Sequence, residues 1–183
     1  MQILRSDSYH QVPWRNGLGQ TAEILSFPDG AADFGWRISM APVVANGAFS
    51  LFPGIDRVLT VIEGHGLRLA LGDAPPVTLT GAPVAFPGDI PCYATLTAGP
   101  ITDLNVMTRR GQWRAVVRHA TAPEPIHGAA HHVVFAHAGP LAGAANGAAF
   151  ALGPRDTLHL TPAESAALSL GGHWLDIQLL PRT

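Results

Sequence analysis

Val58-Leu-Thr-Val-Ile-Glu-Gly-His-Gly-Leu-Arg-Leu-Ala-Leu71 decides the fold: two short apolar runs, Val58–Ile62 and Leu67–Leu71, are joined by a glycine-flanked tip, Gly64-His-Gly66. β-Branched residues suit a pleated surface and glycine supplies the reversal, so the stretch reads as a β-hairpin. The same grammar continues outward. Val77–Thr80 and Leu104–Met107 are further short runs, and turn signals recur at Pro28–Gly30, Pro53–Gly54, Pro75–Pro76, Pro87–Gly88, Gly99–Pro100, Gly139–Pro140, Gly153–Pro154 and Gly171–Gly172. Twenty Gly and sixteen Pro punctuate the chain rather than cluster. Short strands with frequent turns predict an all-β sandwich or barrel, mainly antiparallel, with few or no helices. Glu164–Leu170, after Pro162, reads as one short helical turn or as a strand edge.

The chain has 183 residues, 47% hydrophobic and 13% charged, which gives ample core material for one domain or two small ones. Eleven basic groups against thirteen acidic ones leave a formal net charge of −2. That excludes the basic excess that nucleic-acid binding requires. All eleven cations are Arg, so a lysine Schiff base is excluded and every fixed positive charge is a planar fork suited to carboxylate or phosphate. The single Cys92 excludes an internal disulfide and a multi-cysteine zinc site. The N-terminal stretch lacks an apolar signal core, and no run nears the roughly 20 apolar residues of a membrane span. A cytoplasmic protein without a nucleic-acid or membrane partner is expected; a homodimer is left open.

The pattern repeats. Val58–Leu67 is echoed by Val133–Leu141, Pro87-Gly-Asp89 by Pro154-Arg-Asp156, and Asp103-Leu-Asn-Val-Met107 by Asp176-Ile-Gln-Leu-Leu180. The first and third echoes share an offset of 73 residues (Gly66 to Gly139, Asp103 to Asp176). A supersecondary unit used twice predicts two domains, 1–115 and 116–183, or one compact unit with strand exchange between the halves, with the Pro-rich stretch Ala122-Pro-Glu-Pro125 near the junction as an extended linker.

Pro13-Trp-Arg-Asn-Gly-Leu-Gly-Gln-Thr-Ala-Glu-Ile24, Phe34-Gly-Trp-Arg-Ile-Ser-Met-Ala41, Gly47-Ala-Phe-Ser-Leu-Phe-Pro-Gly-Ile-Asp-Arg57 and Val61-Ile-Glu-Gly-His-Gly66 together resemble the HutD/Ves family of bacterial cupin-like proteins. The likeness continues through Phe86-Pro-Gly-Asp89 and Asp103–Met107 and weakens after about Arg118; it departs at Leu18, where members commonly carry Gly. The resemblance implies a bicupin, two small antiparallel β-barrels in one chain. It also implies a link to histidine utilisation, with a carboxylate metabolite of the urocanate or N-formylglutamate class as ligand.

Metal-bearing cupins hold an ion with three His and one Glu at set distances from a hairpin glycine and a Pro-x-Gly turn. Measured from Gly64 and Gly88, those positions fall at Ser50, Phe52, Arg57 and Pro91. Phe, Pro and Arg do not ligate a cation. No metal and no other cofactor is therefore expected, and a guanidinium in the carboxylate's place turns a cation site into an anion site. His119, His127, His131, His132 and His137 crowd the second half, but on a strand His131 and His132 point to opposite faces. They read as surface and loop histidines, and His65 as a solvated hairpin tip.

Alternation pairs Thr21 with Glu23, Arg37 with Ser39, and Asp103 with Asn105 on single strand faces. Such faces either meet water or line an interior that holds one small ligand. Arg15 and Asn16, in a Trp-Arg-Asn-Gly turn, are placed to close over a planar acid. Arg57 leads straight into a barrel strand. Buried, it must be met by a protein acid, Asp56 or Glu23, or by an anionic ligand. The leading expectation is a metal-free module that binds a small anionic metabolite. The alternatives are a metal-independent isomerase or hydrolase using Glu23 or Asp103, and a protein-interaction scaffold. No Ser-His-Asp spacing or nucleophile elbow stands out.

Overall fold

A computed structural model describes residues 1–13, 19–31 and 33–182. In chain order the strands are β1 (Gln2–Leu4), β2 (His10–Pro13), β3 (Gln20–Phe27), β4 (Trp36–Val43), β5 (Gly47–Ala48), β6 (Ile55–Glu63), β7 (Leu67–Leu71), β8 (Val77–Leu79) and β9 (Val84–Pro87). There follow β10 (Cys92–Leu96), β11 (Ile101–Arg109), β12 (Trp113–Ala120), β13 (His131–Phe135), β14 (Leu141–Ala145), β15 (Ala148–Leu152) and β16 (Thr157–Leu160). A five-residue helix, α1 (Pro162–Ala166), precedes β17 (Leu168–Gly171) and β18 (Trp174–Pro181). Both readings of Glu164–Leu170 are realised in succession. Thr161 and Glu164 form a capping box that starts the helix at Pro162, and the chain is extended again from Leu168. None of the helices is long and apolar enough to cross a membrane among the described residues.

The chain forms two units, His10–Gly111 and Met1–Tyr9 together with Gln112–Thr183. Antiparallel pairing of β1 with β16 carries the first nine residues into the second unit. The expected span 1–115 loses them for that reason, and the chain passes between units at Gly111 and Gln112.

The first unit packs a six-stranded sheet, β2-β3-β4-β11-β6-β9, over a four-stranded one, β5-β10-β7-β8. Between them Val43, Leu59, Val61, Leu67, Leu69, Leu79, Phe86, Cys92, Ala94 and Ile101 form an apolar core. The second unit repeats the arrangement with β1-β16-β13-β18-β12 and β15-β14-β17, around Val134, Leu152, Leu158, Leu160 and Trp174.

Two closed barrels are not what the strands form. Each unit is a pair of open antiparallel sheets among the described residues. The edge strands β2 and β9 end in Pro13 and Pro87, which have no N–H to extend a ladder.

Strand pairing nevertheless repeats: β4-β11-β6-β9 and β10-β7-β8 have the same order and neighbours as β12-β18-β13-β16 and β17-β14-β15. The echo of Asp103 in Asp176 falls on the matching central strands β11 and β18. The echo of Pro87–Asp89 in Pro154–Asp156 does not match, because the first follows β9 and the second precedes β16.

The β6–β7 hairpin shows why its tip is Gly-His-Gly. Gly64 and Gly66 have φ of +93° and +106°, and a Cβ would lie 2.6 Å from Pro100 O at the first and 2.4 Å from Leu79 O at the second. His65 between them is exposed.

Candidate functional site

The inward face of the six-stranded sheet carries three rows of residues. Arg37, Met107 and Arg57 are in register across β4, β11 and β6; Ser39, Asn105 and Leu59 form the next row, and Ala41, Asp103 and Val61 the third. Leu59 and Val61 belong to the core between the sheets, which fixes this face as the interior one. Trp36, Ile38, Leu104 and Val106 fill the opposite face. Glu23 of β3 lies opposite Ser39, and a register shift between Glu23 and Leu25 brings Ser26 opposite Arg37. Ser26 Oγ then donates to Glu23 Oε1 at 3.2 Å.

Arg57 is 5% exposed. Its guanidinium carbon lies 5.3, 5.6 and 5.2 Å from the ring centroids of Phe49, Phe52 and Phe86. Neither expected carboxylate pairs with it. Asp56 accepts from Arg110 Nε at 2.7 Å, and Glu23 Oε2 lies 3.9 Å from Arg37 Nη1. Arg57 Nε donates to Asn105 Oδ1 at a long 3.4 Å, and both Nη groups lack a hydrogen bond among the described residues. Arg37 lies 4.7 Å over Phe34 and 5.6 Å from Phe52, so Phe52 serves both guanidinium groups. Arg37 Nη2 donates to Met107 Sδ at 3.3 Å, and its Nε is buried without a partner. Burial lowers both arginine pKa values, and for Arg57 the charge of Arg37 adds to the effect. Cation–π contacts offset part of the lost hydration, but they supply no counter-charge.

Asp103 is the carboxyl that acts on Arg57 at longer range. Burial pushes its pKa up to about 7 against the opposing pull of Arg57 and a backbone hydrogen bond with Ala41. Near neutral pH it is therefore only part-ionised, and an excess of positive charge stays in the interior. Such an arrangement can hold an anion. The residues at the metal-ligand positions do not fit a divalent ion, since Arg57 points a cation at the rings of Phe49, Phe52 and Phe86. No group of three His, Cys, Asp or Glu is placed to hold a metal among the described residues.

Of the residues singled out in the sequence, Arg57, Arg37, Ser39, Asp103, Asn105 and Glu23 meet on this one face. Thr21 is half-buried two residues before Glu23 on β3. Arg15 and Asn16 lie outside the described residues. Ser26 and the rings of Phe34, Phe49, Phe52 and Phe86 were not foreseen as part of this face; the signal for two of these rings was present in Phe49-Ser-Leu-Phe52, just ahead of Arg57.

The HutD family model matches residues 6–174. The chain belongs to the HutD family. Over 128 residues this HutD-family chain is 44% identical to protein Ves of Citrobacter koseri, an alignment covering 69% of this chain and 67% of that one. Its fold is similar to the structure of HutD from Pseudomonas fluorescens SBW25, with a TM-score of 0.82 and 30% identity over 100% of this chain and 99% of that one. A Cupin 2 conserved barrel domain protein from Leptotrichia buccalis shares the fold at 9% identity, with a TM-score of 0.57 over 93% and 92% of the two chains.

The histidine-rich half of this HutD-family chain departs from the expectation of surface and loop positions. His119 and His127 are exposed, but His132, on β13, is 1% exposed. It lies between Ser165 Oγ and Asp176 Oδ1, with 2.5 Å from its Nδ1 to the first and from its Nε2 to the second. A Ser–His–Asp contact thus exists where no sequence spacing announced one, because α1, β13 and β18 bring together residues 33 and 44 positions apart. Asp176 Oδ2 also accepts from Arg118 Nε at 3.1 Å and Gln178 Nε2 at 2.9 Å. His131 faces the other way and hydrogen-bonds His159 at 3.0 Å.

Proposed function

We propose that the first unit is a metal-free binding module for a small carboxylate metabolite, and that its occupancy modulates histidine utilisation. The observation that carries this reading is the unmatched Arg57. A guanidinium that is 5% exposed, with two free Nη groups and no protein carboxylate against it, is costly. A carboxylate binding them bidentately restores both the hydrogen bonds and the charge balance. Phe49, Phe52 and Phe86 offer apolar walls to the body of such a ligand. Ser39 and Asn105, in the row next to Arg37 and Arg57, supply neutral hydrogen-bonding groups on the same face. The HutD name supports the pathway, and with it urocanate and N-formylglutamate as the ligands to try.

The experiment is calorimetric titration of the purified protein with urocanate and N-formylglutamate, with histidine alongside. Saturable binding of either acid is expected. Silence from all three at millimolar concentration overturns the ligand assignment.

One observation favours a second reading, that the site turns its ligand over. Asp103, with a pKa of about 7, is suited to exchange a proton near neutrality. Chelator-treated protein that consumes urocanate or N-formylglutamate, and loses the activity in Asp103→Asn, would establish it. Binding without consumption leaves the module reading in place.

A further inference from the structure

The two units close their inward faces differently. In the first, the connection from β4 to β6 brings Phe49 and Phe52 over Arg57 and leaves its charge unmet. In the second, the equivalent connection from β12 to β13, residues 121–130, brings a carboxylate. Glu124 Oε2 accepts from Arg118 Nη1 at 2.8 Å, and the Glu124 carbonyl accepts from Arg118 Nη2 at 2.6 Å. Gln178, the counterpart of Asn105 at the 73-residue offset, takes hold of the same segment. Its Nε2 donates to Glu124 O at 2.9 Å, and its Oε1 accepts from Ile126 N at 2.6 Å. Arg118 spends its remaining Nε on Asp176, the counterpart of Asp103.

We propose that the second unit contains a latent site for a small carboxylate, occupied in the resting protein by the chain's own Glu124 and opened when that side chain is withdrawn. The fork of Arg118 is filled on both edges by the protein itself. Its inner edge is held by the buried Asp176, and its outer edge presents Nη1 and Nη2 to one residue. That residue supplies a carboxylate oxygen and a carbonyl oxygen, the acceptors a free carboxylic acid derivative would bring.

Glu124 is weakly committed. Its side chain is 71% exposed, and it belongs to a segment with no strand pairing of its own. An exposed carboxylate holds its partner loosely, so a free one can compete for the same edge. Arg118 itself is 31% exposed on its side chain, reachable from solvent once Glu124 moves. The resting chain therefore offers one open anion site rather than two, although both units have the same strand-pairing scheme.

The test is carried out on the full chain by following the Arg118 Nε–Hε signal in nitrogen–proton correlation spectra. Acetate replaces the atoms that Glu124→Ala removes. In Glu124→Ala the signal should move saturably with acetate and stay still with chloride at equal ionic strength; in the unaltered protein, where acetate must displace Glu124, the same movement should need a several-fold higher acetate concentration. Equal movement in both proteins, or none in Glu124→Ala, overturns the proposal. Should Glu124→Ala fail to fold, Glu124→Ser, which also withdraws the carboxylate from Arg118, is read by the same criteria. Because the signal belongs to Arg118, failure here says nothing against binding at Arg57, and an Arg57→Ala background separates the two sites.

Discussion

Asp103 and Asp176 stand 73 residues apart at matching places on the central strands β11 and β18, yet their pKa values move in opposite directions. Asp103 has Ala41 and Val61 as strand neighbours, and burial raises it to about 7. Asp176 has Arg118 beside it and hydrogen bonds from His132 and Gln178; its pKa is lowered, because these partners outweigh burial.

Stability should therefore carry two pH signatures. For Asp103 the folded state binds the proton more tightly than the unfolded chain, whose Asp titrates near 3.9, so its contribution is harmless below about 4 and turns against folding as pH rises to about 7. The cost above that window is on the order of 4 kcal/mol, an upper figure. Asp176 does the reverse: its stabilisation is present above the unfolded pKa and lost as pH falls through the folded one. Thermal melts should find Asp103→Asn more stable than the unaltered protein at pH 8 and little changed at pH 4. A uniform loss at both pH values would contradict this.

Arg57→Ala should abolish carboxylate binding and leave the Tm unchanged or slightly raised, because it removes a charge that no protein carboxylate neutralises. Calorimetry with a parallel thermal melt checks both halves. A large drop in Tm with binding retained would show that Arg57 holds strands together instead.

Gly88→Ala should weaken binding through Arg57 without touching a ligand. A Cβ at Gly88 would lie 3.2 Å from Arg57 Cδ, 2.9 Å from Ile55 O and 3.2 Å from Phe52 O. The Arg57 side chain and the backbone at Ile55 and Phe52 must shift, and a displacement of a few tenths of an ångström spoils a bidentate geometry. The expected outcome is a roughly tenfold or greater loss of affinity, about 1.4 kcal/mol, with a smaller change in Tm. Unchanged affinity would separate this turn from the site.

His132→Ala should destabilise the protein by roughly 2–5 kcal/mol, since it leaves Asp176 and Ser165 short of a partner in a closed interior and opens a cavity. Denaturant unfolding measures it. A change below about 1 kcal/mol would mean that the network is hydrated, as a surface one is.

Much of the architecture was legible because β-structure writes itself in alternation and punctuation. The hairpin around Gly64-His-Gly66 and the polar pairs Arg37/Ser39 and Asp103/Asn105 follow from a period of two. Which way those pairs faced did not follow, because a polar–apolar alternation is the same whether the polar side meets water or an interior. Leu59 and Val61, in register with Asn105 and Asp103, resolve it. Long-range closure was equally hidden. Pairing of β1 with β16, the His132–Asp176–Ser165 contact and the Glu124–Arg118 clasp each join positions whose nearness depends on sheet order, which no local pattern encodes. Barrel closure was over-read, since a repeated strand grammar fixes neighbours but leaves open whether the edge strands meet.

The most direct measurement is a crystal structure of the chain grown or soaked with urocanate. The account predicts density in the first unit with the carboxylate on the Nη groups of Arg57 and the body of the ligand against Phe49, Phe52 or Phe86. Clear density at another site, with Arg57 still unmet, would contradict it.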